Sequence, residues 1–372
     1  MNFFSKCASW LWNGTKRAVN IVWNKAIKPM ARKVLAWFGM APAAAERGFV
    51  AVETMAARVV TVLETNVGVL VKVGSAYGSR WGVKEGDLVA LEEYLPCGSC
   101  EHCRVGEYRH CWATDPTVEG STRYGGTSIT VEPSLWGGFS QYLFVPPNAP
   151  VHKVPEGASA LEAAMALPIG NGIQWGVVEA EAGIGRTILV QGPGQQGLAC
   201  VVAAKAAGAE KIFVTGLSRD ARRLEVAKLL GADVTINVEK DDPRQVIRDL
   251  TKGYGVDSTV DTAGGGAATM QLAVDVLKRK AGIMVFQGGE TSSLYPDFPI
   301  GRVARKYVQM RPARGHSFNS VEQGLQWIAS HRFPLHLLQT HHFGLNEVDW
   351  AIKSTGGTGA EGAIHVTVLP WQ

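Results

Sequence analysis

Four of the six cysteines stand close together, in the run CGSCEHCRVGEYRHC that holds Cys97, Cys100, Cys103 and Cys111. The first three are separated by two residues each, and the fourth returns after a loop of seven. Such spacing lets four thiolates converge on one tetrahedral ion. Four sulfurs leave no open coordination position, so a zinc ion held this way is a fold element and not a reaction centre. An iron–sulfur cluster takes the same donor set and is the rival occupant. His102 and His110 lie within the run but are expected to be exposed loop residues. Cys7 and Cys200 stand alone, so the six do not form a disulfide framework.

A second stretch with chemical meaning is Gly192-Pro193-Gly194-Gln195-Gln196-Gly197, a G-x-G-x-x-G pattern. A short apolar strand ends at Gln191, and an alanine-rich helix opens at once. In that context Gly192 permits a tight turn, Gly194 admits a pyrophosphate, and Gly197 lets the helix pack on the strand. The helix N-terminus offers free N–H groups to the phosphates. The next strand ends in Thr215-Gly216-Leu217-Ser218-Arg219, where an NAD site usually carries an acid for the ribose hydroxyl. Gly216 stands there instead, with Ser218 and Arg219 following and Arg222 and Arg223 one turn on. A hydroxyl and guanidinium groups suit a 2′-phosphate, which favours NADP over NAD. The plain alternative is a solvated helix start, its charge offset by Asp220 and Glu225.

The elements that position these groups follow from residue periodicity. Glycine-rich, valine-rich sequence from about residue 58 to 155 predicts a compact β domain, with strands over 67–74, 86–91 and 136–145. From residue 156, strands at 187–191, 211–215, 235–237, 258–261 and 283–286 alternate with helices such as 196–207 and 220–230. That alternation predicts an α/β fold with a doubly wound parallel sheet. After about residue 318 one more helix and a closing strand at 363–369 are expected.

With 372 residues, 46% of them hydrophobic and 19% charged, the chain can build two cores. A net charge of +4 is too small to argue for nucleic acid. Much of the excess lies in Lys6, Lys16, Arg17, Lys25, Lys28, Arg32 and Lys33, ahead of the first acid, Glu46. No run has the length of a membrane span and the N-terminus lacks a signal-peptide core, so the expected compartment is the cytoplasm.

The two motifs together resemble the zinc-containing medium-chain dehydrogenase/reductase superfamily, nearest its alcohol, sorbitol and threonine dehydrogenase branch. The likeness runs from about Val67 to the C-terminus, through EEYLPCGSCEHCRVGEYRHC, WGGFSQYLFVPPNA, VQGPGQQGL and HHFGLNEVDWAIKSTGG. It implies a Rossmann domain over residues 156–318 and a GroES-like domain over 46–155, completed by 319–372 and bearing the zinc lobe. It also implies that Ala263, Gly264 and Gly288 line the cofactor crevice. A small-molecule substrate would lie between the domains near residues 167–172, and the chain would form a homodimer or homotetramer.

The resemblance breaks at the catalytic zinc. Family members bind that ion through a Cys, the His and Glu of a GHE motif, and often a further acid. Here the His and Glu positions read Glu64 and Thr65, no Cys or His occurs between Cys7 and Cys97, and the later acid is Leu167. The usual relay hydroxyl is missing too, with Pro42, Ala43 and Ala44 nearby. No catalytic residue can be named on this basis. The chain is either an oxidoreductase that polarises its substrate through hydrogen-bond donors or a dinucleotide-binding protein without turnover.

Residues 1–45 are basic, tryptophan-rich and helix-like. Three readings compete for this segment: a helical cap packed on the β domain, a basic amphipathic helix on anionic membrane, or a frameshift or fusion that rejoins the family between Val59 and Val67. Amphipathic spacing more often marks a packed face, so membrane contact by residues 1–40 ranks lowest.

Overall fold

A computed structural model describes residues 50–53, 65–264, 266–287 and 298–371. The basic segment 1–45, Glu64 and Gly288 fall outside the described residues. Among the described residues no helix is long and apolar enough to cross a membrane.

Five strands make the first sheet: β1 (Val50–Glu53), β2 (Asn66–Lys72), β3 (Leu88–Leu91), β4 (Tyr142–Val145) and β5 (Val151–Lys153). They pair antiparallel in the order β4-β1-β2-β3-β5, closing on Leu70, Val89, Leu91, Leu143 and Val145. Each predicted strand is present but shorter. Gly86 sits at φ +89° in the turn before β3, donating its N–H to the Leu70 carbonyl. Trp136 is not in a strand: it is buried, and its indole donates to the Val131 carbonyl. Periodicity missed β1, a four-residue strand that lies in the sheet between β4 and β2.

Six parallel strands make the second sheet: β6 (Thr187–Gln191), β7 (Lys211–Gly216), β8 (Val234–Asn237), β9 (Ser258–Asp261), β10 (Ile283–Gln287) and β11 (Gln309–Ala313). Their order is β11-β10-β9-β6-β7-β8, so the chain winds outward from β6 to one side and from β9 to the other. The carboxyl ends of β6 and β9 therefore flank a topological switch point, where open α/β sheets bind ligands. The sequence predicted five of these strands. It missed β11, whose Pro312 breaks the strand signature and is tolerated because β11 is an edge.

The C-terminal part holds more than the expected helix and strand. The helix Phe318–Ser330 is followed by β12 (Gln339–Gly344), the helix Val348–Thr355 and β13 (His365–Leu369), with β12 and β13 paired in parallel. The polar, histidine-rich QTHHFG of β12 hid it from a hydrophobic-alternation reading.

One close helix crossing holds the layers together. The helix Ala166–Ile173 lies against the helix Gln195–Ala206, and a Cβ added at Gly172 would come within 2.4 Å of the Ala199 carbonyl carbon. On its other side Gly170 lies against Val321 of the helix Phe318–Ser330. A Gly172→Ala substitution must push two backbones apart, costing about 1–3 kcal/mol as overpacking does. Thermal unfolding should show a clearly lowered Tm for Gly172→Ala. Gly301→Ala, in a helix where nothing lies within 4 Å of the added carbon, should leave Tm unchanged or slightly raised.

Candidate functional site

The glycine turn leaves β6 at Gln191 and enters the helix Gln195–Ala206, capped by Gly194. Gly192 has φ +94°, a backbone that favours glycine, and donates its N–H to the Thr215 carbonyl at 3.0 Å. A Cβ on Gly197 would stand 1.9 Å from the Gly192 carbonyl oxygen, so the helix start sits directly on the turn. A Cβ on Gly194 would meet nothing within 4 Å, leaving its outer side open to a ligand.

The neighbouring strand end is fastened to the same turn. The Thr262 hydroxyl donates to the Gln191 and Gly192 carbonyls at 2.9 and 3.0 Å, and the Ala263 N–H donates to Asp261 at 3.0 Å. Ala263 lies close enough that a Cβ on Gly192 would come within 2.8 Å of its Cα. Gly264 follows at φ +60°. The structure thus brings Gly192, Gly194, Gln195, Gln196, Gly197, Ala263 and Gly264 to the switch point, while Gly288 lies outside the described residues. Gln195 is turned to the C-terminal strand, where its Oε1 lies 3.0 Å from His365 Nδ1.

At the end of β7, a Cβ on Gly216 would meet Pro193 and Leu224 at 3.0 and 3.1 Å, which explains why no acid side chain stands there. Ser218 and Arg219 are exposed beside it. Arg223 is committed elsewhere, to Asp220 at 3.2 Å and to the Ala363 carbonyl. A carboxylate does reach this place, from a residue the sequence reading missed: Glu239 accepts the Ser218 N–H at 2.7 Å. The hydrogen bonds from Ser218 hold the Glu239 carboxyl below its ordinary value. Glu239 follows β8, so only the parallel pairing of β7 with β8 brings it here.

The cysteine run folds into a compact lobe in which the four sulfurs lie within 4.8 Å of one another. Cys100 Sγ and Cys103 Sγ are 3.5 Å apart and Cys97 Sγ and Cys103 Sγ are 4.0 Å apart. Tetrahedral zinc–thiolate bonds of about 2.3 Å place sulfurs about 3.8 Å apart, so the donor set fits one ion. The Ser99 and Cys100 N–H groups donate to Cys97 Sγ at 3.4 and 3.3 Å. The Ser99 N–H bond leads in lowering the Cys97 thiol to about 6, while burial pushes Cys103 up to about 12. A thiol cluster so divided needs a cation before all four sulfurs can carry charge. Among the described residues no other group of three or more His, Cys, Asp and Glu side chains lies close enough to share an ion. His110 is exposed as expected and His102 half-buried. Cys200 is a core thiol, pushed up to about 12 by burial.

A cavity of about 660 Å³ is lined by Glu93, Tyr94, Asn171, Trp175, Gln287 and His316 among others. Gln287 ends β10, so the cavity borders the carboxyl edge of the parallel sheet. Asn171 lies within the segment 167–172 expected near the substrate and Trp175 just beyond it, whereas Leu167 itself is fully buried and apolar.

A doubly wound sheet beside a GroES-like sheet, with a four-cysteine lobe between β3 and β4, defines a medium-chain dehydrogenase. Residues 47–156 match the alcohol dehydrogenase GroES-like domain and residues 197–330 the zinc-binding dehydrogenase family. The chain is 36% identical over 271 residues to the protein named "Probable alcohol dehydrogenase adh" of Mycobacterium tuberculosis, covering 72% of each. It is 30% identical over 304 residues to erythritol/L-threitol dehydrogenase of Mycolicibacterium smegmatis, covering 82% of this chain and 78% of that one. An alcohol dehydrogenase of Thermotoga maritima shares the fold at a TM-score of 0.73 and 24% identity, over 87% of this chain and 92% of its own. The chain belongs to the zinc-containing medium-chain dehydrogenase/reductase superfamily and is an NAD(P)-dependent oxidoreductase of the alcohol dehydrogenase type.

The burial of His365 carries a pH signature. His365 is fully buried, and burial lowers its imidazole to about 3. An unfolded histidine takes up its proton near pH 6.5, so the folded state loses stability as pH falls from about 6.5 toward 3 and is fully favoured above that window. Urea unfolding of wild type and His365→Asn at several pH values should show the wild-type advantage shrinking as pH falls through this range. A difference independent of pH would show that His365 is not held neutral.

Proposed function

We propose that the chain transfers a hydride between NADP and a carbonyl or enone carbon without a catalytic zinc ion, and that its four cysteines hold a structural zinc. The observation that carries this reading is the makeup of the catalytic-ligand positions. Glu64 and Thr65 replace the His and Glu, and the later acid is Leu167, an apolar side chain with no exposed surface. A catalytic zinc needs three protein ligands and one open site. Polarisation of the substrate oxygen then falls to hydrogen-bond donors lining the cavity, among them Asn66, Arg123 and Asn171. That arrangement suits a ketone, enone or quinone acceptor better than an unactivated alcohol.

In this proposal the N-terminus of the helix Gln195–Ala206 and the open side of Gly194 receive the pyrophosphate. Ser218 and Arg219 face the 2′-phosphate, and the substrate occupies the cavity beside Gln287. The structural zinc ties the lobe closed and supplies no chemistry. Association into a dimer or tetramer would use β11, the edge of the parallel sheet.

Oxidation of NADPH by a panel of ketones, enones and quinones tests the activity. Turnover with at least one of these classes is expected, and nucleotide binding with none would favour the inactive alternative. Glu239 sets the nucleotide balance, because its charge opposes a 2′-phosphate at Ser218. Glu239→Gln should therefore raise the affinity for NADP relative to NAD by roughly several-fold, read by nucleotide titration; an unchanged ratio would remove both Glu239 and the Ser218 site from nucleotide selection. Cys103→Ser should lose zinc and lower Tm while leaving nucleotide affinity within about twofold, since the lobe lies apart from the glycine turn.

A further inference from the structure

Behind the cavity wall lies a run of titratable side chains that nucleotide binding does not use. Glu92, immediately after β3, is completely buried. Its Oε1 accepts from the Tyr108 hydroxyl at 2.5 Å and lies 2.7 Å from His152 Nε2. Its Oε2 faces His316 Nε2 at 3.4 Å, and neither of these two atoms has a hydrogen-bond partner among the described residues. His316 is 1% exposed and lines the cavity, with its Nδ1 3.0 Å from Asn171 Oδ1. Glu93, also on the cavity, brings Oε2 to 3.9 Å from His316 Nε2. On the far side His152 Nδ1 lies 2.5 Å from Glu322 Oε1, on the helix Phe318–Ser330, and the Glu322 side chain is 40% exposed. Carboxylates and imidazoles therefore alternate from the cavity to the outer surface.

Both ring nitrogens of His152 face carboxylate oxygens, and each contact requires a proton between its atoms. A neutral imidazole supplies one, so Glu92, His152 and Glu322 share a second. His316 is in the same position: its Nδ1 proton goes to Asn171, and its Nε2 faces two more carboxylates. Burial alone would lower both imidazoles, but the facing carboxylates outweigh it and hold both above the ordinary histidine value. Burial would raise Glu92, but His316 and His152 together bring it down to about 2. Tyr108 and Tyr94, the phenols that border the run, are both held above their ordinary value, so they stay protonated and contribute no charge.

We propose that Glu93, His316, Glu92, His152 and Glu322 form a proton path between the substrate cavity and the outer surface. The path rests on the reading of that cavity as the substrate site. A bound nicotinamide would supply the hydride chemistry; in the oxidative direction the proton of the substrate O–H passes to the Glu93 carboxylate as that bond breaks. Each group then hands one proton to the next, from His316 Nε2 to Glu92 and through the His152 ring from Nε2 to Nδ1. One proton leaves Glu322 for water. Reduction runs the same shifts in reverse, with water as the proton source. Glu93 is the group that would touch substrate; the other four act through it.

Glu322→Gln tests the path, because a half-exposed position tolerates the amide and folding can be checked by Tm. Histidine ¹⁵N NMR at pH 7 should show His152 protonated on both nitrogens in the wild type and on one in Glu322→Gln. A His152 carrying one proton in the wild type overturns the path whether or not any substrate is found. With a substrate in hand, kcat should fall on the order of tenfold or more in Glu322→Gln. KM should stay near wild type and the solvent deuterium isotope effect should grow. A folded Glu322→Gln protein with wild-type kcat, pH profile and isotope effect would reduce the cluster to a structural ion network. If the wild type turns over no carbonyl, enone or quinone, the proposed reaction fails, and the NMR result still decides the proton arrangement.

Discussion

The start of the helix Gln195–Ala206 rests on the carbonyl of Gly192, an approach open only to a residue without Cβ at position 197. Much else follows from that contact. It fixes the helix on β6, aims its free N–H groups across the carboxyl edge of the sheet, and leaves the side of Gly194 open. The Thr262 hydroxyl then ties β9 to the same turn, so the two halves of the sheet meet at one fixed crevice. The other face of the helix is pinned by Gly172 against Ala199, which in turn sets the segment carrying Asn171 and Trp175. Glycine turn and cavity wall are thus positioned by two glycine contacts on a single helix.

A second constraint is electrostatic. Glu92 lies in the interior, where an unpaired carboxylate would be strongly unfavourable, yet Tyr108, His152 and His316 surround it. These partners come from the cysteine lobe, from β5 and from the approach to the helix Phe318–Ser330. A charge that must be neutralised from three directions fixes those segments relative to one another. It also leaves His316 facing the cavity with its Nε2 turned toward two carboxylates. A buried acid–imidazole network therefore borders the cavity.

The parts legible in the sequence were those written in short-range spacing. The cysteine intervals, the G-x-G-x-x-G turn and the alternation of strands with helices each lie within a few dozen residues, and the structure assembles all three. Elements with weak or interrupted patterns were missed: β1 is only four residues, β11 carries Pro312 and β12 is largely polar. The 136–145 stretch forms a strand only over Tyr142–Val145, because Gly137 and Gly138 interrupt an aromatic pattern that resembles one. Contacts between distant residues left no local trace at all. Glu239 reaches Ser218 only through strand pairing, and Glu92 meets Glu322 through His152 across some 230 positions of chain (322 − 92). No acid stands at Gly216 in the sequence, but the carboxylate that Glu239 brings to Ser218 could be found only in three dimensions.

In the proposed reading, this chain keeps the family's fold and glycine turn while Glu64, Thr65 and Leu167 stand at the catalytic-zinc positions and bind no ion. Metal content of the purified full chain measures this most directly. One zinc per chain is expected in the wild type and none in Cys103→Ser. Two zinc ions per chain, with one retained after Cys103→Ser, would contradict it.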